Sequence, residues 1–285
     1  MILSTLDKSR KGGAYEQIPS LVLGQRWTPQ LNSRNMMKVV LCVWIEPYIE
    51  TDLSFCVWPV HTPTTSKEVL TLSASTSPLP YTGNKSCIVN TILSVMPKHT
   101  VYIDPCMGSA EVFFRKPRAE KEILNDYNGD LVNLFRVIQN NEKLAYLLGR
   151  LYLSINGELA FKQNKDRLKG VPNILDDVIE TSQIFYDASW EDIQNAAAFL
   201  ENQVYSFSST GQTFGIVRRD MSQRLLRLMS AYNRIRDAII LHRDYKDVIT
   251  YAACPGSFIL LDPPYKGTED MYSKANFDIE QHDIL

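Results

Sequence analysis

An apolar segment at residues 258–261 runs directly into the tetrad Asp262-Pro263-Pro264-Tyr265, and this junction constrains the fold more than any other feature of the chain. A short apolar run bounded by turn residues predicts a buried strand. In an open parallel sheet, the residues that follow a strand face the crevice where ligands bind. The prolines fix φ and lack N–H donors, which stiffens the turn and leaves its carbonyl groups exposed as acceptors. The alternative is an ordinary strand-to-turn junction, since aspartate and proline are common in turns.

Two earlier segments predict further strands of the same sheet. Residues 100–103 run into Asp104 and Gly108, and residues 122–124 end at Asn125 and Asp126, with an amphipathic helix after each segment. This order is the opening of a doubly wound α/β domain. Asp126 stands 18 positions after Gly108, close to the spacing at which an acid binds ribose hydroxyls in dinucleotide folds. The pattern predicts a nucleoside-containing cofactor without separating NAD from S-adenosylmethionine. The alternative role for Asp126 is to cap the following helix.

Helices are predicted over most of the remaining middle of the chain. At residues 87–96, the apolar side chains Ile88, Ile92 and Val95 share one helical face. Residues 140–240 are predicted to be mostly helical, with a capping box formed by Ser189 and Asp192. One further helix is predicted to carry a row of apolar residues, namely Leu225, Met229, Tyr232, Ile235 and Ile239.

Composition and the N-terminal segment add little to this. The 285 residues are 45% hydrophobic with a formal charge of −2, which is typical of a soluble globular protein and neither favours nor excludes nucleic acid. The scattered cysteines form no CxxC pair, which argues against disulfides and a structural zinc site and favours a cytoplasmic location. No export signal or membrane span is predicted. Residues 1–76 are unassigned, with one strand predicted at 39–45 and linker-like residues at 61–66 and 73–78.

The block Tyr81-Thr82-Gly83-Asn84-Lys85-Ser86 loosely resembles the tail of a P-loop. A nucleoside triphosphatase is rejected because Asn84 separates the glycine from the lysine and the earlier glycine is absent. Instead, five features occur in the order typical of one enzyme family: this block, the Asp104–Gly108 block, Asp126, the helical region and the final tetrad. Over residues 78–285 the chain resembles the Dam-type (alpha-class) DNA adenine-N6 methyltransferases.

The resemblance implies a Rossmann-like S-adenosylmethionine-dependent methyltransferase fold with a partial sheet. Its catalytic domain would comprise residues 77–139 and 241–285, and residues 140–240 would form a helical insert that recognises the DNA target. Tyr81 and Lys85 would contact the methionine end of the cofactor, Gly108 the pocket floor and Asp126 the ribose. Asp244 or Asp247 would hold the cofactor adenine, and Ala110 stands where the family has a second glycine. The full set of implied cofactor-binding residues is Tyr81, Gly83, Lys85, Asp104, Gly108, Asp126, Asp244, Asp247 and Asp262.

The implied reaction is direct methyl transfer to the amino group of an adenine flipped out of double-stranded DNA. Asp262 and the carbonyl of Pro263 would accept both amine hydrogens, Pro264 would stiffen the turn, and stacking on Tyr265 would contribute roughly 1–3 kcal/mol. No metal is required. A cytosine-amino methyltransferase is chemically close, but serine is more usual there in place of Asp262.

DNA contact is expected from the insert. Between Arg218 and Lys246, eight basic residues face three acids, which indicates phosphate contact or a solvated helix face. The basic residues are Arg218, Arg219, Arg224, Arg227, Arg234, Arg236, Arg243 and Lys246. The polar loop at residues 206–215 resembles the family's DNA-facing loop.

Only 20 residues follow Tyr265, fewer than the family pattern needs for its remaining strands. From this we expect either an active methyltransferase completed by a further chain or segment, or a non-catalytic remnant, of phage or mobile-element origin, that binds DNA or cofactor at most.

Overall fold

A computed structural model of the chain describes residues 41–44, 76–176, 188–216 and 220–263. The strands in these ranges are β1 (Leu41–Trp44), β2 (Val101–Asp104), β3 (Lys121–Asn125), β4 (Ile239–Leu241) and β5 (Ser257–Leu261). The helices there are α1 (Val89–Val95), α2 (Glu111–Arg115), α3 (Gly129–Gln139), α4 (Asn141–Tyr152), α5 (Glu158–Lys169), α6 (Trp190–Tyr205), α7 (Met221–Ile235) and α8 (Tyr245–Ala252). None of these helices is long and apolar enough to span a membrane.

The strands form one mixed sheet in the order β1-β5-β2-β3-β4. β2, β3, β4 and β5 are parallel, and β1 runs antiparallel to β5, with Leu41 opposite Leu261. The predicted α/β fold with a parallel sheet is confirmed, as is a strand within residues 39–45. Because β3 and β5 lie on opposite sides of β2, the strand order reverses at β2, and a crevice for ligands opens at such a switch point.

Side chains alternate across the sheet and build a hydrophobic core on each face. Tyr102 and Leu124 belong to the larger core beneath the helical region, whereas Ile103 and Ile123 pack with Val248 of α8 on the other face. This period of two follows from the pleat of a strand. Burial on both faces explains why residues 258–261 are apolar throughout.

The predominantly helical character predicted for residues 140–240 is confirmed over its described part, as is the capping box. The Ser189 hydroxyl accepts the Asp192 N–H at 3.1 Å, and the Asp192 carboxylate accepts the Ser189 N–H at 2.7 Å. Leu147 and Leu200 of this region share one continuous core with Tyr102 of the sheet. The division into a catalytic domain and an insert stays a prediction.

Two details of the helix prediction are wrong. α7 ends at Ile235, and Ile239 instead begins β4, opposite Ile123 of β3. The four-residue spacing of these two isoleucines imitated a helical face, although residues 238–241 are a short apolar run of the kind that also forms buried strands. The boundary predicted at residue 240 therefore falls inside a strand.

The second error concerns α1. Val95 was predicted to share an apolar face with Ile88 and Ile92, but it is 56% exposed, and the buried residues of this helix are Val89 and Ile92.

A buried ion cluster joins α7 to the sheet. Both guanidinium NH groups of Arg234 donate to the Glu122 carboxylate of β3, which Lys116 also contacts. Arg234 also donates to the Phe113 carbonyl at 2.8 Å, and its guanidinium lies 3.7 Å from the centre of the Phe113 ring. Burial raises the pKa of Glu122, but the hydrogen bonds from Arg234 and Lys116 outweigh it and lower the pKa overall. The expectation that Arg234 contacts phosphate is wrong, because its charge is buried and engaged inside the protein.

We expect Arg234→Met to destabilise the protein by about 3–5 kcal/mol, because it leaves the buried Glu122 carboxylate without its bidentate partner. The free energy of unfolding in urea measures this loss. Arg236→Met is the matched control, since that side chain lies two residues further along and is more than half exposed. Equal stability losses in the two variants would contradict a special role for the buried pair.

Candidate active site

The carboxyl ends of the parallel strands bring four acids to one edge of the sheet. Asp104 ends β2, Asp126 follows β3, Asp244 follows β4 and Asp262 follows β5. All four line a cleft of about 980 Å³, a volume that includes open solvent at its mouth. Several other residues predicted to bind a cofactor line the same cleft, namely Tyr81, Gly83, Lys85 and Gly108. The structure thus assembles most of the predicted site.

The turn after β2 is held against the turn after β3. The Gly108 N–H donates to Oδ2 of Asp126 at 3.0 Å, and the Asn128 N–H donates to Oδ1 at 2.9 Å. Gly108 has a φ of +49°, and Ala110, where the resemblance implies a second glycine, has a φ of +54°. A left-handed backbone favours glycine, so Ala110 bears a strain of about 1–2 kcal/mol.

Asp126 does not cap the following helix. The N-cap of α3 is Asn128, whose side chain accepts the Asp130 N–H at 3.1 Å. Burial raises the pKa of Asp126 to about 6, and hydrogen bonds from the backbone of Asn128, Gly108 and Tyr127 oppose that increase. The alternative role considered for Asp126 is therefore excluded, and its carboxylate organises the cleft instead.

Asp104 is the most deeply buried acid of the cleft. The Tyr102 hydroxyl donates to Oδ2 at 3.0 Å, whereas Oδ1 is buried with no hydrogen-bond partner among the described residues. Burial raises the pKa of Asp104 to about 8, the Tyr102 hydrogen bond opposes the increase, and the charges of Asp262 and Asp126 add to it. The protonated form of Asp104 is consequently favoured at neutral pH in the unliganded cleft.

Lys85 supplies a positive charge beside Asp262, at the end of β5. Its ammonium forms an ion pair with Oδ2 of Asp262 and donates to the Gly83 carbonyl at 2.8 Å. The two side chains of the pair are only 8% and 18% exposed. The Tyr81 ring lies over Gly108, 3.6 Å from where a β-carbon would stand. The block at residues 81–86 therefore closes the cleft over the ends of β2 and β5.

The remaining predicted site residues are placed less centrally. Asp244 caps α8 by accepting the Lys246 N–H at 2.9 Å and lines the cleft, but Asp247 is exposed on α8 and is not part of the cleft lining. Pro263 is the last residue described after β5, and Pro264 and Tyr265 lie outside the described residues.

The sequence analysis missed Asn125, which ties three strand ends together. Its amide NH₂ donates to the carbonyls of Pro105 at 2.8 Å and Arg243 at 2.9 Å, and its oxygen accepts the Arg243 N–H at 2.9 Å. Asn125 is fully buried. The available signal was a polar amide at the end of an apolar strand, immediately before the predicted ribose-binding acid.

The basic residues of the predicted DNA-binding region have different environments. Arg227 and Arg236 are exposed, Arg224 donates to the Pro78 carbonyl at 3.4 Å, and Arg218 and Arg219 lie outside the described residues. The loop at 206–215 lies against the rim of the cleft, because the hydroxyl of the lining residue Thr82 donates to the Ser209 carbonyl at 3.3 Å.

Comparison with known proteins shows similarity to DNA methyltransferases. A family model described as D12 class N6 adenine-specific DNA methyltransferase matches residues 81–284. The type II methyltransferase M1.LlaDCHI of Lactococcus lactis subsp. cremoris is 23% identical over 65% of this chain and 64% of its own length. Type II methyltransferase M.CviBI of Paramecium bursaria Chlorella virus NC1A is 22% identical over 64% of this chain and 66% of its own length. Modification methylase StsI of Streptococcus sanguinis is 25% identical over 69% of this chain and 30% of its own length. The chain thus spans less than two thirds of each of these relatives.

We expect Asp104 to contribute stability to the unliganded protein that is lost as the pH rises from about 4 to about 8, because its pKa is raised on folding to about 8 and its protonated form is favoured in the native state. Asp104→Asn mimics that protonated form and should flatten this pH dependence. Urea midpoints at several pH values measure the slope. Glu120→Gln, an exposed change at the opposite edge of the sheet, should leave it as in the wild type. A slope unchanged by Asp104→Asn would contradict the assignment.

Proposed function

The chain belongs to the D12 class N6 adenine-specific DNA methyltransferase family, and from this premise we propose that it transfers a methyl group from S-adenosylmethionine to the exocyclic amino group of adenine in DNA. The observation that carries the proposal is the meeting of Asp104, Asp126, Asp244 and Asp262 in one cleft beside Lys85. Site-specific modification of the kind carried out by type II enzymes is the corresponding biological role.

The cleft suits a cationic nucleoside cofactor. S-Adenosylmethionine carries a positive ammonium and a positive sulfonium, and the sulfonium activates the methyl group for transfer. The buried Oδ1 of Asp104 is an acceptor suited to the ammonium. Gly108 lets the ligand approach the backbone closely. Tyr81 and Asp244 would complete the cofactor contacts.

Asp262 would act on the adenine. An aromatic amine is a weak nucleophile because its lone pair is conjugated with the ring. When Asp262 and the carbonyl of Pro263 accept hydrogen bonds from the amine, the nitrogen moves towards a tetrahedral shape and its lone pair can attack the methyl carbon. The N–C bond would form as the bond from the methyl carbon to sulfur breaks, S-adenosylhomocysteine would leave, and the nitrogen would lose one proton by way of Asp262 to solvent. Lys85 forms an ion pair with Asp262 before the substrate arrives, and the amine would then share or replace that contact. Alignment of the amine with the methyl group supplies most of the rate enhancement.

The residues expected to contact DNA are on the helical region. Arg227 and Arg236 are exposed on or at the end of α7, and the loop at 206–215 lies beside Thr82 at the edge of the cleft. We propose that the arginines contact phosphates and that the loop contacts base edges. Tyr265 would stack on the flipped adenine. Action on genomic DNA would place the protein in the cytoplasm, and a complementing chain stays a prediction.

We expect Asp262→Asn to lower the rate of methyl transfer at least about 100-fold, because an uncharged amide is a poorer acceptor for the adenine amine. Incubation of the purified chain with methyl-labelled S-adenosylmethionine and unmethylated DNA measures N6-methyladenine directly. Glu120→Gln, on the far edge of the sheet, should retain full activity. A wild-type chain that binds the cofactor but yields no methyladenine would support the non-catalytic alternative.

We expect affinity for S-adenosylmethionine to rise between pH 6 and 8 by up to about tenfold per pH unit, because a bound cation favours the ionised forms of Asp104 and Asp126. Their pKa values of about 8 and about 6 define this window. Titration calorimetry at each pH measures it. Adenosine lacks both the ammonium and the sulfonium and should show a shallower increase, and identical slopes for the two ligands would argue against the electrostatic account.

A further inference from the structure

A short segment after α5, residues 173–176, crosses the carboxyl ends of β3 and β4; we refer to it as the strap. The Asp176 N–H donates to the His242 carbonyl at 2.9 Å, and the His242 N–H donates back to Oδ2 of Asp176 at 2.9 Å. Arg136 of α3 fixes the same carboxylate at 2.8 Å and also donates to the Ile240 carbonyl at 3.1 Å. The strap is therefore anchored at β4 by both backbone and side chain.

At its other end, the strap grips the turn that follows β3. The Asn173 NH₂ donates to the Tyr127 carbonyl at 2.9 Å, and the Asn173 Oδ1 accepts the Gly129 N–H at 2.8 Å. One uncharged amide thus bridges both sides of the turn. The contact is tight, since a β-carbon on Gly129 would stand 2.7 Å from Asn173 Oδ1 and 2.9 Å from the His242 ring.

The turn that Asn173 contacts, residues 126–129, is the one that presents Asp126 to the cleft. Asp126 accepts the Asn128 N–H within the turn and the Gly108 N–H across it. The peptide groups at Tyr127 and Gly129 flank this hydrogen bond on both sides, so their position fixes the direction of the Asp126 carboxylate. The Asn173 side chain is in turn placed by the anchored strap.

We propose that Asn173 is a positioning residue for the cofactor: by holding the turn at residues 126–129, it aims the Asp126 carboxylate at the cofactor ribose. This inference rests on the proposed function. Asn173 touches neither cofactor nor DNA in this role, and its contribution reaches the ligand through Asp126. A residue contributed by the predicted target-recognition insert would thereby determine cofactor affinity.

Asn173→Ala should weaken binding of S-adenosylmethionine by about tenfold, because two hydrogen bonds that hold the turn are lost. KM for the cofactor should rise in parallel, while kcat at saturating cofactor changes less than about twofold, since Asp262 and its surroundings stay in place. Ile174→Ala is the matched control, because the neighbouring side chain in the same strap is 71% exposed. The control should bind the cofactor like the wild type.

Asn173→Asp tests the same contact with a residue of the same size and covers the case in which the alanine variant does not fold. An ionised aspartate can still accept the Gly129 N–H, but it places a negative oxygen against the Tyr127 carbonyl where the amide donates. Near neutral pH this variant should therefore also bind S-adenosylmethionine about tenfold more weakly than the wild type. An aspartate variant that binds the cofactor as tightly as the wild type would overturn the proposal.

Gly129→Ala disturbs the same contact from the turn, because its β-carbon would clash with Oδ1 of Asn173 and with the His242 ring, and it should also weaken cofactor binding. In the double variant with Asn173→Ala, the clash with the amide oxygen is removed, so the combined fold-loss should be smaller than the product of the single losses. Independent, multiplicative losses would contradict the proposal.

Cofactor binding also separates this inference from the proposed function. If the wild type binds S-adenosylmethionine and Asn173→Ala binds it equally tightly, only this inference fails. If the wild type does not bind it, the proposed function fails as well.

Discussion

Carboxyl groups of like charge stand close together in a buried cleft because parallel strands all end at one edge of the sheet. This arrangement raises the free energy of the empty site, since neighbouring carboxylates repel and burial disfavours their ionised forms. The protein relieves the repulsion in a different way at each acid. Asp262 has the ammonium of Lys85, Asp126 has backbone N–H donors, Asp244 caps a helix, and Asp104 retains a proton.

This arrangement leaves the cleft prepared for a positive ligand. Asp104, whose pKa burial raises to about 8, is also the acid of the cleft whose Oδ1 is buried and has no hydrogen-bond partner among the described residues. A cation in the cleft would provide that partner and stabilise the ionised form. The stability lost in the empty site is thereby recovered as binding free energy, a common relation between stability and function at charged sites.

The parts of the site that follow from local sequence were predictable. An apolar run that ends in aspartate predicts both a strand and the residue at which the strand ends. Asp104, Gly108, Asp126 and Asp262 were therefore expected at the carboxyl edge of the sheet, and all four line the cleft there. β4 was mistaken for helix because three residues carry too short a pattern to separate a period of two from one of 3.6. The burial of Arg234 was also hidden, because its partner Glu122 lies 112 positions away.

The contacts that sequence could not reveal have a common chemistry. Asn125 ties the ends of β2 and β4 across β3, and Asn173 holds the turn that presents Asp126. Both join segments distant in the chain, so no local spacing predicts them. Both are amides, which donate and accept without charge. Another carboxylate at these positions would increase the repulsion in the cleft, and another ammonium would compete with a cationic ligand. Neutral amides therefore connect the strand ends while leaving the negative potential of the cleft to the aspartates that need it.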